Sequence, residues 1–169
     1  MRRGVALLIV LAGCAVAPDM APVYRDRTVP LTVTTRGSLA DMQGDWVVRA
    51  AFPDTAAIDR VTLDRRPDGL FNVTISQAGC AQTCNSLTGT WPAERIAQNR
   101  LRLLTDSASD PELWVIWMDD GFRTAIVATA DGQTAFILDR KTRGGDDRIV
   151  AARDVMDFNG FDIAQLVMR

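Results

Sequence analysis

The chemistry open to this chain is narrowed first by an absence, since its sequence contains no histidine. Without imidazole there is no Ser-His-Asp or Cys-His nucleophile–base set, and most zinc chemistry is lost with it. No other nucleophile–base set can be assembled from the motifs, so the chain is expected not to be an enzyme and to need no cofactor or metal. Three cysteines remain, at positions 14, 80 and 84. Cys14 follows the small residues Ala12-Gly13, behind the positive Arg2-Arg3 and the apolar run from Gly4 to Ala12. A run of this length is far short of the ~20 residues that span a bilayer. It has the length of the apolar core of a secretion signal. Cys80 and Cys84 stand in Cys-Ala-Gln-Thr-Cys, which is not the Cys-x-x-Cys redox spacing. Outside the cytoplasm a disulfide is the default for such a pair, with a redox or metal pair as the alternative. Closing so short a ring contributes about 2 kcal/mol, mostly locally.

These residues need a scaffold, and the pattern beyond residue 45 describes one. Short apolar or alternating runs are punctuated by turns such as Arg66-Pro67-Asp68-Gly69, Asp119-Asp120-Gly121 and Asp131-Gly132. Strands are expected over 45–52, 60–64, 71–76, 87–91, 100–104, 113–118, 124–129 and 134–140. Eight strands with short connections suit a mainly β fold, an up-and-down antiparallel barrel that leaves no open edge. The last three strands are apolar on both faces and so need an outer cover. A helix capped by Asp147, running to Phe158 and stopped by Asn159-Gly160, is expected to supply it with Ile149, Ala152, Val155 and Met156. Residues 1–13 are thus read as a signal, 14–37 as a proline-containing tether and 38–169 as the barrel domain. The net charge of −2 is spread without a basic stripe, so nucleic acid is not an expected partner.

Two stretches resemble known families. Leu11-Ala12-Gly13-Cys14 is similar to the lipobox of bacterial lipoproteins. The resemblance implies that the Cys14 thiol carries diacylglycerol and that cleavage leaves a mature chain of 169 − 13 = 156 residues. Ala15, where inner-membrane retention would favour Asp, implies anchoring at the outer membrane, on its periplasmic side. Next, Gly44-Asp45-Trp46, Asp119-Asp120-Gly121-Phe122 and Arg140 at the end of the eighth strand resemble, in order, the three motifs of the lipocalins. The match is closest to bacterial outer-membrane lipocalins, whose ending is also similar to Gly160-Phe161-Asp162-Ile163. In that family the arginine packs over the tryptophan at the closed end of the barrel. Phe122 stands where tyrosine is commoner, and the connection after Phe52 is short, which implies a reduced lid.

Strands alternate in direction, so their connections alternate between two ends. The three motifs fall at one end, the floor, with the loops 66–69, 94–99 and 119–122. The mouth takes 53–59, 77–86, 105–111 and 130–133, with Asp54, Asp59, Asp106, Asp110 and Asp131. Side-chain alternation assigns Val48, Ala50, Phe52, Phe71, Val73, Ile75, Leu101 and Leu103 to the inner, ligand-facing surface. The expected function is binding or transport of a small hydrophobic molecule, such as a fatty acid or lysophospholipid, at the membrane. The alternative is an envelope interaction protein, or a protease-inhibitor-like barrel with a filled core.

Overall fold

The computed structural model describes residues 23–169 apart from 80–83, 85, 86, 106–109 and 130. The signal, Cys14 and Cys80 therefore lie outside the described residues. Eight strands pair antiparallel in chain order: β1 (Gly44–Ala51), β2 (Arg60–Arg65), β3 (Phe71–Ser76), β4 (Gly89–Ala97), β5 (Arg100–Leu103), β6 (Glu112–Met118), β7 (Thr124–Thr129) and β8 (Ala135–Asp139). β1 pairs with both β2 and β8, which closes the barrel. One helix, α1 (Asp146–Phe158), packs outside β7 and β8. A two-residue strand, β9 (Val167–Met168), pairs with Ala50 and Ala51 at the end of β1.

The apolar residues sort into two layers. The inner cluster runs from Trp46 and Val48 through Phe71, Val73, Leu101, Val115 and Val127 to Leu138. The outer cluster holds Ile116, Ile126 and Ile137 from the barrel wall, with Ile149, Ala152 and Met156 from α1. This is the two-faced burial that the last three strands require. The helix begins two residues earlier than expected. Gly145, in the left-handed region (φ 74°), takes the capping position, and Asp147 sits in the first turn.

The expected tether ends differently. Residues 23–37 are not a free spacer but a strap lying on the barrel's outer wall. Tyr24 is buried and stacks on Phe52 with ring centroids 4.4 Å apart. Asp162 N donates to Tyr24 O (2.9 Å), Asp26 N to Gly160 O (2.8 Å), and Arg27 Nε to Asp131 O in the β7–β8 hairpin (3.0 Å). Lower down, Thr34 N donates to Val115 O (3.1 Å) and Asn99 Nδ2 to Thr34 O (2.8 Å). The strap thus descends from mouth to floor before the turn at 38–43 leads into β1. The polar residues of this stretch hide the pattern, because only Tyr24 and Leu31 contribute large side chains to the outer cluster.

A second correction concerns β4, which continues past the expected end at 91 through Pro92 to Ala97. Pro92 lies opposite Asn72, and its carbonyl accepts from Leu104 N at 2.8 Å. The floor loop expected over 94–99 shrinks to the turn at Gln98-Asn99.

Candidate functional site

At the floor the three motifs meet through a chain of contacts. Gly44 opens β1 in the left-handed region (φ 87°), which a side chain would strain. Trp46 is fully buried, and its indole Nε1 donates to Met42 O at 2.7 Å. The Arg140 guanidinium carbon lies 3.7 Å from the centre of the Trp46 ring. Its two terminal nitrogens donate to Asp45 O (3.0 Å) and Asp41 O (2.8 Å). The backbone N of Arg140 donates to Arg123 O at 2.8 Å, which ties it to the β6–β7 turn. That turn is organised by Asp119, whose carboxylate accepts from the backbone N of Thr124 (2.6 Å), Arg123 (2.5 Å) and Gly121 (3.2 Å). Burial raises the Asp119 pKa, and these N–H donors, with the Arg123 side chain, lower it by more, so it ends below the usual carboxylate range. Phe122 sits at φ 50° and packs against the inner cluster. Beside it Arg148 of α1 donates to Asp139 Oδ2 (3.1 Å) and Thr124 Oγ1 (2.8 Å), fastening the helix to the same end.

Above this floor lies an apolar cavity of about 30 Å³, bounded by Trp46, Leu39 and Met42 below and by Val61, Leu63, Val73, Leu101, Leu113, Val115, Val127 and Leu138 around. Every lining residue is apolar. The mouth is stoppered by Ile58, which is fully buried in the inner cluster. Its loop is pinned by Val48 N donating to Asp59 O (2.9 Å) and Asp59 N to Ser76 O (3.0 Å). The connection after Phe52 is short, as expected, yet it reaches the core. Asp59 Oδ1 is buried there without a hydrogen-bond donor.

Six of the eight residues expected on the inner surface are there: Val48, Phe71, Val73, Ile75, Leu101 and Leu103 all belong to the inner cluster. Only Val73 and Leu101 border the remaining void. Ala50 and Phe52 are not inside. The pairing of β1 with β8 slips between Val48 and Ala50, leaving Arg49 as an extra residue. This bulge reverses the alternation, so Ala51 turns inward while Ala50 and Phe52 join the outer cluster. A matching slip between Val115 and Trp117 leaves Trp117 outside and turns Met118 inward. The inner residues of β2 and β6–β8 were open to the same alternation argument. Leu39, Met42 and Ile58 come from outside the strands, where periodicity says nothing. Of the cysteine pair, Cys84 is exposed and Cys80 lies outside the described residues. Among the mouth carboxylates, Asp106 also lies outside them, while Asp110 accepts from Thr105 N at 2.9 Å.

An eight-stranded antiparallel barrel, closed on itself, with a helix packed outside and an arginine–tryptophan cap at one end, is a lipocalin-like fold. In agreement, the chain is similar in structure to the major allergen Per a 4 from cockroaches, with a TM-score of 0.61 over 81% of this chain and 90% of that one, at 13% sequence identity. No protein-family model and no curated protein sequence matches the chain.

Proposed function

We propose that this protein is a non-enzymatic lipocalin of the bacterial cell envelope, held by lipid on Cys14 at the periplasmic side of the outer membrane. Its barrel takes up one small hydrophobic molecule, such as a fatty acid or lysophospholipid. The observation that supports the binding reading is the wholly apolar cavity above the Trp46 floor. Ligand pockets for molecules of that size hold roughly 300–1,000 Å³. Binding therefore requires Ile58 to withdraw and Met42 and Leu39 to repack, which an unbranched thioether such as Met42 accommodates readily. The buried Asp59 Oδ1, which meets no donor among the described residues, is an acceptor for a hydroxyl or ammonium on the ligand's polar end once the loop moves. A Cys80–Cys84 disulfide in the neighbouring mouth loop belongs to the same reading.

The mature protein, purified from membranes, should carry co-purifying lipid in native mass spectrometry and bind an apolar fluorescent fatty acid. Leu101→Trp fills the void and should abolish binding while the barrel stays folded. The small size of the cavity favours a second reading, a filled barrel whose mouth contacts another envelope protein. Absence of both lipid and probe binding, in wild type and in Ile58→Ala alike, would decide for it.

A further inference from the structure

The strap fixes where the chain leaves the barrel. Its lower end meets Asn99 at the floor, and its upper end meets Gly160, Asp162 and the β7–β8 hairpin at the mouth. Val23, the first described residue, is therefore at the mouth end. Between it and Cys14 lie few enough residues that a fully extended link reaches about 30 Å. The barrel itself is about 20 Å tall, from strands of some six residues at ~3.3 Å each. A link of that reach lets the mouth meet the bilayer directly, and the surface around the exit selects which face does so.

The surface around the exit carries unpartnered apolar side chains. α1 starts at the floor, where Arg148 holds it, and ends at the mouth, where Asn159 Oδ1 accepts from Thr32 N at 2.9 Å. Phe158, in its last turn, is 77% exposed, and Val23 is 47% exposed. Val23 borders a surface hollow with Asp157, the neighbour of Phe158 in the chain. Val167 and Met168, set on the mouth-side end of β1, are 41% and 44% exposed. These four are, with Val150, the exposed large apolar residues among those described. We infer that the barrel docks mouth-first on a zwitterionic lipid surface, with Phe158 and Val23 entering the headgroup region and Val167 and Met168 beside them.

Charge selects the kind of surface. Asp26, Asp54, Asp131, Asp157 and Asp162 are exposed at this end against Arg27, Arg60 and Arg169. Anionic headgroups would be repelled by that excess, whereas phosphatidylcholine or phosphatidylethanolamine would not. Interfacial Phe side chains then add binding in proportion to the apolar area they bury. The consequence is that an amphiphile can pass between bilayer and barrel with little exposure to water.

This inference rests on the reading of Cys14 as the lipidated residue, and one preparation separates the two. The mature protein carries a photoreactive benzoylphenylalanine in place of Phe158, or in place of Asp68 in the floor turn, and is reconstituted into phosphatidylcholine vesicles. Intact mass first reports whether Cys14 is acylated. Irradiation should then give lipid adducts at position 158 and none at 68, with a lower yield when phosphatidylglycerol is mixed in. An acylated chain that gives no lipid adduct at 158, or a chain–chain adduct there, overturns the docking alone. A chain without acyl mass on Cys14 overturns both.

Discussion

Single side chains hold the closed end of this barrel, and each has a separable signature. Trp46 and Arg140 stand 94 positions apart, yet the guanidinium covers the ring and ties two backbone carbonyls to it. Trp46→Ala removes a fully buried aromatic and should cost ~3–5 kcal/mol in chemical denaturation. Arg140→Lys keeps the charge but loses the planar, two-armed donation, so it should melt below wild type although it looks conservative. Asp119 acts through its charge. Its pKa is lowered on folding, so its contribution is complete above the unfolded value of ~3.9 and fades as pH falls through the folded one. Asp119→Asn should lose about 1.5–3 kcal/mol at pH 7, the range for hydrogen bonds to a charged group. The gap between variant and wild type should then close below about pH 4, as unfolding curves across pH would show.

At the scale of elements, the bulge in β1 matters more than any one strand boundary. Deleting Arg49 would restore a regular ladder with Ala51 still inward and Ala50 and Phe52 still outward. Phe52 would then keep its stack with Tyr24, so the deletion should lower the melting temperature about as much as Arg49→Ala, which also loses the donation to Lys141 O and Gly144 O. Inserting one alanine after Arg49, by contrast, should turn Phe52 inward and abolish a cooperative thermal transition. This also shows what sequence pattern can and cannot supply. β3 and β7 have the boundaries that alternation and turns indicate, and the helix face of Ile149, Ala152 and Met156 follows from its period. Alternation cannot see a bulge, because Val48, Ala50 and Phe52 remain apolar at every second position whichever way they face. Nor does it mark Pro92 as a strand residue, since the missing N–H matters only once its neighbours are known. Ile58 is the clearest omission at the site itself. A lone isoleucine among Asp54, Thr55 and Asp59 reads as loop until the barrel closes beneath it.

The molecule as a whole is a barrel wrapped on one side, and the wrapping is as much a part of the fold as the strands. Ile116, Ile126, Ile137 and Phe52 face outward from the wall, where α1 and the strap exclude water from them together. If residues 23–37 were only a spacer, removing them would leave the barrel intact. The contacts of Tyr24, Thr32 and Thr34 say otherwise, since they join the strap to Phe52, to Asn159 at the end of α1 and to β6. A mature chain beginning at residue 38 should therefore expose this apolar face, bind a hydrophobic dye and aggregate on concentration. A chain beginning at residue 23 keeps every one of those contacts and should melt like the full-length protein freed of its lipid. Equal melting temperatures for the two truncations would show that the strap adds nothing, and that the folded unit does begin with the turn before β1.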